Sequence, residues 1–429
     1  MTADSLLTPA PGGAAAGTGD PGPKKRRLSL PMILLITSGA IFAGVIALSL
    51  VRVMTGANDL TSSGATHAAL QAAVPIGLAG LGGLWAERAG VVNIGLEGMM
   101  IFGTWFGAWG SLNWGWAVGL IAAVIGGALG GLLHAVATVT FGVDHIVSGV
   151  AINILALGVT RYLSSLTFAN EEGGGVNQSP SVEQPPDLSV PGVTWLTEGL
   201  ESKHWFLVSD LAGIVRGLLT DVSVLTIVAV VLVPVTFYLL WRTSFGLRLR
   251  SVGEAPHAAE TLGVNVYLYK YYAVVVSGAI AGLGGAFLSM VAADIYREGQ
   301  TNGRGYIGLA AMIFGNWRPG GLAAGAALFG YTDALQLRGG TTSIHALLLL
   351  ISGILLAVGA WQVYRRKFVI GGVAIGLSVL AAISYFFTDQ VPVPFVQFTP
   401  HVTTLVVLAL AAQRLRPPAA DGIPYRRST

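Results

Sequence analysis

Along the chain, long apolar runs alternate with short polar joints. The first run, Met32 to Val53, directly follows the basic stretch at Lys24, Lys25, Arg26 and Arg27. Further runs lie at about 70–86, 91–109, 117–140, 146–167, 222–241, 271–292, 306–317, 321–336, 344–361, 368–388 and 399–413. Crossing a bilayer takes roughly 20 apolar residues of helix, since each advances the axis by about 1.5 Å. The pattern predicts an all-α polytopic membrane helix bundle of about 10 to 12 transmembrane helices. The first run exceeds a signal-peptide core and no persuasive cleavage motif follows it, so it reads as a retained helix.

The polar joints differ in sign. Residues 168–221 hold eight acids (Glu171, Glu172, Glu183, Asp187, Glu198, Glu201, Asp210, Asp221) against two bases, Lys203 and Arg216. Residues 242–270 hold four bases (Arg242, Arg248, Arg250, Lys270) against two acids, Glu254 and Glu260. Bases gather on the cytoplasmic side of membrane proteins. The counts therefore put 168–221 outside and 242–270 inside, with both termini cytoplasmic. Arg365, Arg366, Lys367 and the Arg414/Arg416 tail also fall inside if the chain breaks between Asn316 and Gly320, as two short helices or a re-entrant pair.

The chain repeats itself. Ala79-Gly80-Leu81-Gly82-Gly83 recurs at Ala281 to Gly285, and the stretch from Ile94 to Trp105 is echoed from Ile307 to Trp317. The halves then hold five helices each, an odd number, so the second lies upside down relative to the first. This 5+5 inverted repeat is common among alternating-access transporters, whose sites form where short, Gly-interrupted helices meet. The expected organisation is a tail at 1–27, a first half at 28–221, a second half at 222–365, two added helices at 366–413 and a tail at 414–429.

Composition sharpens the picture. Only 10% of the 429 residues are charged and 53% are hydrophobic. A soluble domain carries about a quarter charged residues, so soluble enzymes and disordered chains are excluded. The 59 glycines suit close helix packing, as in the GxxxG pairs Gly126/Gly130, Gly127/Gly131, Gly278/Gly282 and Gly321/Gly325. No cysteine is present, which removes thiolate chemistry. No Gly-Lys dipeptide occurs, so the chain lacks a phosphate-binding loop of the Walker A type. HExxH and GxGxxG are absent, and His134 on an apolar helix reads as a packing residue.

Pro256 suits a first helical position and Gly263 a C-terminal stop, which predicts a short helix at 256–262 on the basic loop. Such a helix can receive force from a cytoplasmic partner; a solvated connector would carry similar charges. This loop, with Glu87-Arg88-Ala89-Gly90-Val91-Val92-Asn93-Ile94-Gly95-Leu96-Glu97-Gly98-Met99-Met100 and Gly303-Arg304-Gly305-Tyr306-Ile307-Gly308-Leu309-Ala310, resembles permease subunits of bacterial ABC importers of the branched-chain amino acid and simple-sugar class. The 87–100 segment is most similar to the nucleoside (or simple-sugar) branch.

The resemblance covers about residues 65–365. It implies a second, different permease, a cytoplasmic ATPase that uses ATP and Mg, and an extracellular substrate-binding lipoprotein. This chain would bind no cofactor and catalyse no covalent step. It also implies an ATPase-coupling role for Arg248, Arg250, Gly253, Glu254, Ala258, Ala259 and Gly263. Candidates for the substrate path are Asn93 and Glu97, which share a helix face at a spacing of four, and more weakly Gln71, Asn153, Asn316 and Asp333. A charge within the membrane is costly, so Glu97 either lines that path or hydrogen-bonds neighbouring backbone. Trp105 and Trp317 read equally well as interfacial anchors. The competing functions are an ion-coupled secondary transporter with Glu97 as its proton site, and a channel.

Overall fold

The structure is a computed structural model that describes residues 30–396, 398 and 415–427. The 1–27 tail and the apolar run at 399–413 lie outside the described residues. The chain divides into two compact units, Met1–Gly44 and Val45–Thr429. What is described of the first is the opening of α1 (Leu30–Thr55), with Met32, Leu35, Ile41 and Phe42 exposed.

In the second unit, α2 (Ser63–Arg88), α3 (Leu96–Trp114), α4 (Trp116–Ala135) and α5 (His145–Thr167) follow the rest of α1. A two-residue antiparallel pair, β1 (Asp187–Leu188) with β2 (Val222–Ser223), brackets α6 (Val193–Glu201) and α7 (Val208–Leu219). Then come α8 (Val224–Arg242), α9 (Ser244–Glu254), α10 (Pro256–Thr261), α11 (Val266–Phe287), α12 (Arg304–Phe314), α13 (Pro319–Arg338), α14 (Gly340–Tyr364) and α15 (Phe368–Phe387). Wide helical turns at Val136–Thr140 and Leu288–Ala292 lengthen α4 and α11. Among the described residues, eight helices are long and apolar enough to cross a membrane. Large apolar side chains exposed on α5, α8 and α15, such as Ile154, Tyr238 and Phe387, are what a lipid-facing surface requires.

Two breaks organise this bundle. Residues 91–95 belong to the apolar run expected as helix, but Gly90 turns the chain with φ +79° and the helix restarts only at Leu96. The break expected near Asn316 is present, with Asn316 at φ +54° and Trp317 at φ +52°. The helix after it, α13, is a full 20 residues long and not a short piece.

Because α2 ends where α10 and α11 begin, α2 runs toward that end and α11 away from it. We term it the basic end and the opposite one, bearing residues 168–223, the acidic end. The two broken pairs, α2–α3 and α11–α12, pack more on each other than within themselves. A Cβ on Gly80 of α2 would lie 2.6 Å from the carbonyl oxygen of Gly308 in α12, and one on Gly103 of α3 would overlap Gly282 of α11. Gly80 and Gly282 hold equivalent places in the repeated Ala-Gly-Leu-Gly-Gly motif. Each repeat thus crosses the broken helix of the other, and the two are interleaved. Leu309, the counterpart of Leu96 by letter, lies inside α12 and not at its start, so the repeats are not superposable copies.

Helix α4 inserts between α3 and α11 through its two glycine pairs. Gly127 and Gly131 meet the backbone of α11 at Gly278, Gly282 and Val274, while Gly126 and Gly130 seat Phe106, Met99 and Phe102 of α3. At the acidic end, the loop is a built structure. Asp210 of α7 is buried 2.7 Å from the Arg52 guanidinium and accepts from Ser49 and Thr61, which fixes α7 to the end of α1.

Overpacking a core usually costs about 1–3 kcal/mol. Gly278→Leu puts a side chain onto backbone, which cannot yield as side chains do, so the loss should reach about 3 kcal/mol or more. Gly158→Ala, inside α5 where nothing lies within 4 Å, should cost nothing and gain up to about 1 kcal/mol of helix propensity. Thermal unfolding of the two detergent-solubilised variants checks the contrast.

Candidate functional site

The starts of α3 and α12 face one another. The first N–H groups of a helix lack intrahelical partners and carry partial positive charge, so two apposed starts need acceptors between them. Glu97, in the first turn of α3, serves the α12 start: Oε1 takes the N–H of Gly303 at 2.8 Å and Oε2 that of Gly305 at 2.7 Å. A Cβ at Gly305 would lie 2.7 Å from the Glu97 backbone, so the approach requires glycine.

Asn153 of α5 joins the same network. Its Oδ1 accepts the Gly98 N–H at 2.7 Å, and its Nδ2 donates to the Ile94 carbonyl at 3.1 Å and the Tyr306 hydroxyl at 2.8 Å. Asn93 is fully buried and donates through Nδ2 to Ser277 Oγ at 2.9 Å, while its Oδ1 has no partner among the described residues. Asp333 of α13 pairs with Arg304 at the start of α12, 3.2 Å away. Gln71 lies apart, 3.0 Å from His67 on its own helix. Asn316 also lies apart, at the basic end.

There Glu87 and Arg88 close α2 against the break after α12. The Trp317 indole donates to Glu87 Oε2 at 2.5 Å, and Arg88 donates to the Trp317 carbonyl through Nε at 3.0 Å and Nη2 at 2.6 Å. Positive φ in non-glycine residues costs on the order of 1–3 kcal/mol each, and this clamp offsets that strain at Trp317. Trp105 likewise donates to Ser164 Oγ at 3.1 Å. At 3% and 5% exposure, Trp105 and Trp317 are core residues and not interfacial anchors.

α10 occupies the place that Pro256 and Gly263 predict, ending at Thr261 instead of Leu262. α9 has no counterpart in that expectation, although Phe245, Leu249 and Val252 fall at helical spacing and form its inner face. Gly253 abuts the Arg88 carbonyl so tightly that a Cβ would overlap it, and Glu254 lies 3.9 Å from the Arg88 guanidinium. Arg250 donates to the Leu240 carbonyl at 2.9 Å, and Ala259 is buried. Arg248, Ala258 and Gly263 are exposed, as is Leu262 at 84%. The candidate coupling residues therefore form an inner set that grips the bundle and an outer set that faces away from it.

Residues 415–427, expected as a plain tail, lie across this inner set. The N–H of Ala420 donates to the Gly253 carbonyl at 2.9 Å, that of Ala419 to Glu254 Oε2 at 3.2 Å, and that of Arg416 to Asn316 Oδ1 at 2.8 Å. Tyr425 donates its hydroxyl to Glu260, which Arg427 pairs at 2.9 Å. The Asp421 carboxyl sits against that of Glu87, with Arg88 of α2 and Lys270 of α11 as its charged neighbours. A lone acid between Arg416 and Arg426 was the available signal. No group of three or more His, Asp or Glu residues that could hold a metal occurs among the described residues.

Burial pushes the Asp421 carboxyl up to about 7, more than Glu87, Lys270 and Arg88 pull it down. A carboxyl raised on docking favours the docked tail when protonated. Its contribution is complete below the ordinary value of 3.8 and is lost as pH rises through about 7. Tryptic cleavage after Arg426 and Arg427, taken relative to Asp421→Asn at each pH, should rise at least about threefold from pH 6 to pH 8. Equal ratios at both pH values would contradict this placement.

A family model described as branched-chain amino acid transport system / permease component matches residues 65–359. The guanosine ABC transporter permease protein NupQ of Bacillus subtilis (strain 168) is 33% identical over 366 residues, 83% of this chain and 95% of that protein. The nucleoside ABC transporter permease protein NupC of Lactococcus lactis subsp. cremoris is 34% identical over 82% of this chain and 94% of its own length. The putative glucose ABC transporter permease protein TsgC13 of Haloferax volcanii is 35% identical over 66% and 80%. No solved structure matches. With its apolar helices and its interleaved broken pairs, the chain belongs to the permease-component family of branched-chain amino acid transport systems, a membrane-embedded ABC transport subunit and not an enzyme.

Proposed function

We propose that the chain is one of two different permease subunits of an ATP-driven importer that carries nucleosides inward across a bacterial plasma membrane. Similarity to NupQ and NupC over nearly their whole lengths is the observation that carries this reading. The charge of the two ends supports a cytoplasmic basic end and an external acidic end. A separate ATPase, which uses ATP and Mg, docks on the outer set at Arg248, Ala258, Leu262 and Gly263. An extracellular binding lipoprotein lands on the α6–α7 face, where Trp195 is 84% exposed. This chain needs no cofactor of its own.

The geometry supports a lever. Force on α10 passes through Gly253 and Glu254 to Arg88, and from Arg88 to Trp317 at the end of α12. α12 has 11 residues, about 16 Å of rigid helix, and its other end is held by Glu97. Motion at the basic end is thereby delivered to the Asn93, Glu97 and Asn153 cluster, where the buried Asn93 Oδ1, without a partner among the described residues, becomes an acceptor for a solute hydroxyl or amide when the path opens. Gln71 and Asn316 stand toward the two ends of this path. Because the repeats are interleaved, they cannot rock as separate bodies, so α12 and the joints around it carry the movement. The ion-coupled alternative is not favoured: both Glu97 oxygens already hold backbone N–H groups.

Proteoliposomes holding both permeases and the ATPase, with binding protein inside or outside the vesicles as orientation requires, should accumulate labelled guanosine only with ATP. Glucose and ribose should compete weakly. Glu254→Ala with Gly263→Leu should lower uptake at least about tenfold. Accumulation by this chain alone, driven by a proton gradient, would refute the reading.

A further inference from the structure

The described residues of α10 pack chiefly on α9 and α11, their neighbours in sequence. A six-residue helix held only by its flanking turns would yield when pushed. The C-terminal segment supplies the lateral hold. Tyr425 packs with Val252, Ala259 and Val266 in one apolar cluster, and its ring lies 5.1 Å from that of His257 and 5.5 Å from that of Tyr267. Glu260 receives both the Tyr425 hydroxyl and the Arg427 guanidinium.

The other half of the segment grips what α10 must move. Its backbone bonds Gly253, Glu254 and Asn316, Leu415 packs into the main core, and Asp421 meets Glu87, the residue that holds the Trp317 indole. Gly90 lets it approach, since a Cβ there would lie 3.0 Å from the Ala420 carbonyl oxygen. The outward side of α10, with Ala258, Thr261 and Leu262, stays exposed. The segment therefore braces the helix from behind without covering the face a partner would use.

We propose that residues 415–427 are a strap that makes the coupling helix and the α12–α13 break move as one piece, and so set the transport obtained per ATP hydrolysed. The strap is a positioning element and touches neither ATP nor solute. This inference rests on the ATPase reading given above.

The test uses the full assembly with two altered chains: one ending at Arg416, and one carrying Tyr425→Phe with Arg427→Ala, which removes the two contacts to Glu260 while the buried ring at position 425 keeps its packing. Both should retain the co-purified ATPase and at least about half of its hydrolysis, while solute moved per ATP falls about tenfold for the first and about threefold for the second. If the truncated chain does not fold, the point variant decides. Unchanged transport per ATP in the point variant would overturn the proposal, as would loss of the ATPase from it while the unaltered complex retains its own. An unaltered complex that never holds an ATPase would instead remove the functional reading beneath it.

Discussion

One carboxylate holds two helix starts together. α3 and α12 come from opposite repeats and point their unsatisfied N–H groups at the same place, an arrangement that repels itself unless something negative intervenes. Glu97 intervenes with both oxygens, and Asn153 closes the other side. The surrounding features follow from that meeting. The turns at Gly90 and before Gly303 bring the two starts inward, glycines at 80, 103, 282 and 308 allow the helices to cross, and α4 fills the remaining side through its own glycines.

Much of the fold is legible in the chain because lipid imposes a coarse rule on helix length and polarity. The apolar runs become helices, and the repeated Ala-Gly-Leu-Gly-Gly motif marks two equivalent crossings. What hydropathy cannot see is backbone direction inside an apolar stretch. Val91 and Val92 look like helix, yet the chain there is turned by Gly90 and ordered by its meeting with α5 and α11. α9 escapes notice for the opposite reason: its three apolar contacts are too few to register beside membrane spans.

The polar candidates divide in an instructive way. Glu97 and Asn153 converge because each accepts N–H groups at a helix start, and Asn93 ties the break after α2 to Ser277 of α11, whereas Gln71 and Asn316, equally polar and equally intramembrane by sequence, attach elsewhere. Residue type alone cannot separate the two groups; for Glu97 and Asn153 the location of orphaned helix-start donors does, and only the fold reveals it. The same holds at the basic end. Glu87 and Arg88 read as an ordinary helix ending, but Trp317 sits 230 positions along the chain from Glu87 and donates its indole N–H to it.

The placement of Glu97 is best tested by hydrogen exchange in the peptide spanning residues 298–306 of the purified protein. Gly303 and Gly305 should exchange slowly in the unaltered chain. In Glu97→Gln, which retains one acceptor where two are needed, exchange there should quicken by roughly ten- to a hundredfold, the equivalent of about 1.4–2.7 kcal/mol. Identical protection in both proteins would mean that the two helix starts are held by something other than this carboxylate.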